Sequence, residues 1–170
     1  MRLAYVTSDE KGLTDRVLGE AAGLIVQSGL HPVGVVQTNV ERPQRFHCDM
    51  DLHILPGGPV INITQDLGAN ARGCRLDAGA LENAVAAVST RLAAGADLLI
   101  LNKFGKHEAE GRGFRPVIAE ALERGLPVIL GVNALNLAAF HDFAGDLGEV
   151  LPADPTPIVD WCLRLWAEAA

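Results

Sequence analysis

The chain has 170 residues, 49% of them hydrophobic, with a mean hydropathy of +0.20; that is one domain of chain, large enough to bury a core without disulfides or a structural metal. A net charge of −7 and a pI near 5.1 exclude a general nucleic-acid binder, which needs a basic face. Three widely spaced cysteines, no secretory-type leader and no apolar run near the roughly 20 residues of a membrane span point to a reducing, cytoplasmic setting.

Residues 2–7 predict a buried strand. From Thr14 to Ser28, Val17, Leu18, Ala21, Leu24 and Ile25 recur at helical spacing, and Gly29 stands where a helix stops. Residues 31–40 predict a valine-rich second strand, parallel to the first because a helix joins them. After a loop over 41–50, two short apolar runs flank Pro56, Gly57 and Gly58, a hairpin signal over about 50–64. An irregular polar stretch follows over 64–76, and Asp77 is placed to cap a helix over 78–94. Strands are expected over 96–101 and 127–132, with a helix over 116–124 between them that Gly125 ends. Leu135 to Phe143 is a short amphipathic piece. Thr156 and Pro157 open the last helix, with Trp161, Cys162, Leu165 and Trp166 on its apolar side.

This alternation predicts a single domain, a three-layer α/β/α sandwich whose mostly parallel sheet carries an antiparallel hairpin insertion. Ligands in such folds bind beyond the carboxyl ends of the strands. Residues 7–14, 102–115 and 133–141 are expected there.

The first of these segments has the outline of a phosphate-binding loop. That loop is G-x-x-x-x-G-K-[ST], in which backbone N–H groups surround phosphates, the lysine adds charge and the hydroxyl binds Mg²⁺. Gly12 and Thr14 fall on the second glycine and the hydroxyl, but Thr7 replaces the first glycine and Leu13 the lysine. Lys11 comes two positions early, and Asp9 and Glu10 bring negative charge. An anion could still meet the free N–H groups of the helix; an ordinary strand-to-helix turn is the plainer alternative.

The second segment begins where a buried strand runs into Asn102 and Lys103, then into Lys106, Glu108, Glu110, Arg112 and Arg115. These cations are either a lip around an anion, helped by Gly105, Gly111 and Gly113, or a solvated loop of weak surface ion pairs. The run from Asn102 to Glu108, the Gly73 to Asp77 stretch, Glu108 to Gly113 and Gly125 to Leu130 resemble a bacterial family of unknown function, DUF2478, whose members carry NTPase-like or molybdenum-transport ATP-binding labels. That family is related to the cancer-related nucleoside-triphosphatases, and the likeness spans most of the chain. It implies a P-loop-NTPase-like fold. In the hydrolytic relatives the strand ends in Asp-Glu, which hold Mg²⁺ and orient water; Asn102 and Lys103 stand there instead, and an amide is a poor Mg²⁺ ligand. No residue pattern supports the molybdenum label.

Three further groups invite chemistry. His47, Cys48, Asp49, Asp51 and His53 crowd one segment, but without a recognisable ligand spacing, so no metal site is expected. Cys74, between Arg72 and Arg75 and near a helix start, is either an activated thiolate or ligand contact, or a small buried thiol. Asn133, Asn136 and His141 could meet a nucleotide base, or simply build a turn.

The expected function is binding of a small anionic ligand, a nucleotide, phosphate or oxyanion, with weak or absent hydrolysis. Lys11, Gly12, Thr14, Asn102, Lys106, Arg112, Cys74 and Arg75 are the expected binding residues. Glu108 and Lys103 are the expected catalytic residues: Lys103 or Lys106 is expected to supply the missing charge, and Glu108 to orient Lys106 or a water. The alternatives are a nucleoside-triphosphatase with an unconventional site, using ATP or GTP with Mg²⁺ and Glu108 or Glu110 as base or metal ligand, and a non-enzymatic scaffold or regulator that meets a protein partner or forms a homodimer.

Overall fold

The computed structural model describes residues 2–41, 48–66 and 75–169. Strands β1 (Leu3–Val6), β2 (Pro32–Val40), β3 (Asp49–Leu55), β4 (Val60–Asn62), β5 (Leu98–Phe104), β6 (Val128–Val132) and β7 (Gly148–Leu151) form one sheet in the order β4-β3-β2-β5-β6-β1-β7. The run from β2 through β5, β6 and β1 to β7 is parallel. β3 pairs antiparallel with β2, and β4 with β3, so the expected hairpin extends one edge.

Parallel strands covered on both faces read as near-continuous apolar runs, and β1, β6 and the 98–101 part of β5 do. Leu3, Tyr5, Leu99, Leu101, Val128 and Leu130 belong to a core with α2 (Ala78–Ala94), α4 (Arg115–Glu123) and α5 (Leu137–Ala144). Ala4, Val6, Leu98, Ile100 and Ile129 belong to a second core with α1 (Leu13–Gln27) and α6 (Pro155–Ala169). The layers are therefore helix, sheet, helix. A short α3 (Lys106–Ala109) follows β5. No helix among the described residues is long and apolar enough to cross a membrane.

Local chemistry explains most boundaries. Asp77 caps α2, its Oδ1 accepting the Ala80 N–H at 2.9 Å. Gly125, at φ 73°, stops α4. The last helix differs from expectation: Asp154 Oδ1, not Thr156, accepts a first-turn N–H, and Pro155 is the first residue. Trp166 is 49% exposed, so the apolar side of α6 is Ile158, Trp161 and Cys162, with Leu165 partly covered. Leu24 of α1 likewise faces outward. β7 and α3 are additions to the sequence reading.

Because β1, β5 and β6 are parallel, their carboxyl ends share one edge of the sheet. The segments beginning at residues 7, 105 and 133 all leave from that edge, where ligands of open α/β sheets bind.

Candidate functional site

α1 starts abruptly. Gly12 precedes it with φ 78° and ψ −6°, a left-handed conformation natural to glycine, and no side chain caps the helix. The turn is held by Glu10 N–H donating to Ser8 Oγ at 3.1 Å and Leu13 N–H to the Glu10 carbonyl at 3.2 Å. Among the described residues nothing lies within 4 Å of where a Gly12 side chain would begin, so they leave the helix end open on that side. A 15-residue helix ending this way presents unsatisfied N–H groups and the positive end of its dipole. Lys11 is exposed beside it. Glu10 is exposed too, in a loose 3.7 Å ion pair with Arg16.

Thr14 brings this helix end against the neighbouring strand tips. A Cβ on Gly131, near the end of β6, would overlap the Asn102 carbonyl oxygen and come within 2.9 Å of Thr14 Cγ2. Glycine at 131 thus lets α1 close onto β5 and β6, and Gly12, Thr14 and Asn102 are gathered in one place.

The side chain that meets Asn102 is Asp15. Asn102 Nδ2 donates to Asp15 Oδ1 at 2.6 Å, and Asn39 Nδ2, from β2, donates to Asp15 Oδ2 at 2.7 Å. Gln37 Nε2 in turn donates to Asn39 Oδ1 at 2.8 Å. Asn102 is 2% exposed and Gln37 5%. Only the NH₂ of Asn102 can face a carboxylate, which fixes the amide's orientation. Its Oδ1 is then turned away, buried and without a hydrogen-bond partner among the described residues. A buried acceptor in that state costs about 1–3 kcal/mol unless something fills it.

Sequence reasoning missed Asp15. In the sequence it is only an acid in the first turn of a helix, which the helix dipole accounts for. The spatial fact is different: the β5 tip lacks its own acid, yet a carboxylate is hydrogen-bonded to it.

The loop after β5 is a separate construction. Glu108 is 4% exposed, and both carboxylate oxygens accept main-chain N–H groups: Oε2 from Gly105 and Oε1 from Phe114, each at 2.9 Å. Arg115 Nη1 donates to the Glu108 carbonyl at 3.2 Å, and its guanidinium lies 4.7 Å over Phe143, which stacks on Phe104. Glu108 and Arg115 thus fold the loop, and both oxygens of Glu108 turn to main-chain N–H groups. Lys106 pairs with Glu110 at 3.8 Å, and Arg112 hydrogen-bonds the same carboxylate. That contact, and then the nearby charges of Arg112, Lys106 and His107, hold Glu110 below the usual carboxylate range. Lys106 and Arg112 are exposed, as is Lys103 at the β5 tip. Asn39 and Asn102 reach Asp15 of α1, while Lys106 and Arg112 turn to Glu110.

Arg75 sits beside the β3–β4 hairpin, its carbonyl accepting the Gln65 N–H; its Nε is buried and finds no hydrogen-bond partner among the described residues. Cys74, with Arg72, and His47 lie outside the described residues. Among those described, no three His, Cys, Asp or Glu side chains are grouped to hold a metal. Asp51 accepts from Asn62, and His53 shares a hydrogen bond with Thr38. Asn133 Oδ1 accepts two donors from Asn136, building the turn after β6. Burial pushes the Cys162 thiol up to about 12.

Residues 3–161 match the family described as "Protein of unknown function (DUF2478)". The "Molybdenum import ATP-binding protein ModC 2" of Bradyrhizobium diazoefficiens strain USDA 110 is 35% identical over 160 residues, covering 94% of this chain and 18% of that protein. The chain therefore spans about a fifth of the relative's length. Two solved structures share the fold. The crystal structure of THEP1 from the hyperthermophile Aquifex aeolicus superposes with a TM-score of 0.69 at 13% identity, covering 98% of this chain and 99% of that one. The solution structure of a human cancer-related nucleoside triphosphatase does so with 0.61 at 14% identity, covering 99% and 97%.

Proposed function

The chain belongs to the DUF2478 family, and we propose that it binds a nucleotide or another phosphorylated or oxyanion ligand at the α1 N-terminus, with weak or absent hydrolysis. One observation carries this: an uncapped helix end opens outward at the carboxyl edge of the sheet, beside a buried, unpartnered Asn102 oxygen. Free N–H groups of the first turn would hold the anion, with Gly12 allowing close approach and Lys11 adding charge. The name of the 35% identical relative makes ATP the first ligand to try. The import activity of that much longer protein is a separate matter.

The donors beside the helix end are oxygens: the Thr14 hydroxyl and the Asp15 carboxylate. Such a set fits hydrated Mg²⁺, which keeps several waters and takes one carboxylate plus phosphate oxygens. When bound, the ion would neutralise phosphate charge. Lys103, Lys106 and Arg112, all exposed, would attract the anion at a distance more than fix it.

Two features support weak turnover. Leu13 leaves no lysine at the usual point of the phosphate loop, and Glu108 commits both oxygens to main-chain N–H groups. The test is a thermal-shift and calorimetric screen with ATP, GTP, phosphate and molybdate, each with Mg²⁺ and with EDTA, plus a phosphate-release assay. Binding with little or no release supports this reading. Rapid release would favour the nucleoside-triphosphatase, and no binding of any ligand a scaffold.

A further inference from the structure

We propose that Asp15 is the carboxylate that anchors a divalent cation accompanying the bound phosphate, held in place by Asn102 and Asn39. The proposal rests on the ligand reading above and deepens it. The acid expected at the β5 tip is absent from the strand, but its place is taken in space from the first turn of α1.

Three observations converge. First, Asp15 is clamped on both oxygens, by Asn102 Nδ2 at 2.6 Å and Asn39 Nδ2 at 2.7 Å, and Gln37 braces Asn39. An acid that merely balanced the helix dipole would need no amides from two different strands. A carboxylate has about four lone-pair positions, so this clamp fixes the group and still leaves coordination free. Second, Asn102 Oδ1 is buried and unpartnered. It is a neutral oxygen with nothing to accept from among the described residues, on the same amide whose NH₂ holds that carboxylate. Third, Asp15 follows Thr14 on the turn whose N–H groups would hold phosphate. A carboxylate there repels a bare phosphate, and a cation between them turns the repulsion into attraction.

The lysines offer no equivalent. Lys106 is bound to Glu110 and exposed, and the Asn102 and Asn39 amides are the groups that reach Asp15. Asn102 and Asn39 are positioning residues in this scheme, and Asp15 is the ligand.

The experiment uses the full chain, ATP as probe and Mn²⁺ as a paramagnetic stand-in for Mg²⁺. ATP affinity is measured by calorimetry with Mn²⁺ and with EDTA, and bound Mn²⁺ is read by EPR. The wild type should bind ATP at least tenfold tighter with the metal. Asp15→Asn should lose that enhancement and the bound-metal EPR signal, while ATP affinity in EDTA stays equal or rises because a negative charge has gone. Asp15→Glu should keep part of the enhancement, which guards against a folding defect in the amide variant. If Asp15→Asn retains the full metal enhancement, or the wild type binds ATP equally well in EDTA, the cation role of Asp15 is wrong and the ligand reading stands. If the wild type binds ATP in neither condition, both fail.

Discussion

Replacing Asn102 with aspartate puts an acid at the β5 tip, and the geometry says it should harm the metal-free protein. Asn102 Nδ2 donates to Asp15 Oδ1 at 2.6 Å. In Asn102→Asp that donor becomes an oxygen, and two carboxylates face each other inside a nearly closed contact. Losing a hydrogen bond to a charged group costs about 1.5–3 kcal/mol. Two like charges relaxed to about 4 Å repel by up to about 4 kcal/mol at an effective dielectric of about 20. Asp15 is only half-buried, so solvent screening and side-chain rotation reduce the sum to about 3 kcal/mol. For a chain of this size that is a fall of about 6–12 °C in Tm. The assay is a thermal melt in EDTA and in millimolar Mg²⁺, at neutral pH and near pH 5. The fall should appear in EDTA, shrink toward pH 5 as one proton relieves the repulsion, and shrink again with Mg²⁺, which two carboxylates bind better than one. A variant as stable as the wild type in EDTA at neutral pH would mean that Asp15 does not sit against residue 102, and the argument for the site would fail.

Glu108→Gln should destabilise the loop after β5, because one of the two main-chain N–H groups would face an NH₂; a loss of about 1–3 kcal/mol and faster tryptic cleavage at Lys103 and Lys106 are expected, and resistance equal to wild type would contradict the stapling role. Lys106→Ala and Arg112→Ala should each change stability by less than about 1 kcal/mol. Both should slow ATP association mainly at low salt, a stopped-flow measurement that a fixed phosphate contact would fail by showing a faster off-rate instead. Cys162, with its thiol pushed up to about 12 by burial, is protonated and covered in the fold. Iodoacetamide near pH 8 should therefore label it only in denaturant, as peptide mass mapping would show. Its raised value also means that the folded state loses relative stability as pH climbs from the ordinary value of 9.0 toward about 12, since the unfolded thiol ionises first.

The fold was largely legible because its elements obey short-range rules. Val17, Leu18, Ala21 and Ile25 marked α1, and Asp77 marked the start of α2 by the chemistry that its Oδ1 performs. Gly57 between two apolar runs gave the β3–β4 hairpin. β7 was hidden because only Leu151 of its four residues is buried, so no apolar run announces it. The helix cap at Asp154 was hidden by the better-looking Thr156 beside it.

The site was legible in half. Gly12 and Thr14 were marked by spacing and Asn102 by its place at a strand end, and the fold brings all three to one edge of the sheet. Asp15 and Asn39 were missed because their meaning lies in a contact across 87 residues for Asp15 with Asn102, and across 24 for Asp15 with Asn39. Spacing rules carry no information on such pairs. Charge counting read the β5 loop without its pairings. It registered Lys106 and Arg112 as available cations, and could not show that Glu110 already answers both.

The most direct test of the central claim is a ¹⁵N-resolved NMR titration of the full chain with ATP and Mg²⁺. The account predicts that the backbone N–H resonances of Gly12, Leu13 and Thr14 and the side-chain NH₂ of Asn102 move together and saturate at one equivalent. Saturable shifts elsewhere that leave those resonances still, or no shift at millimolar nucleotide, would contradict it.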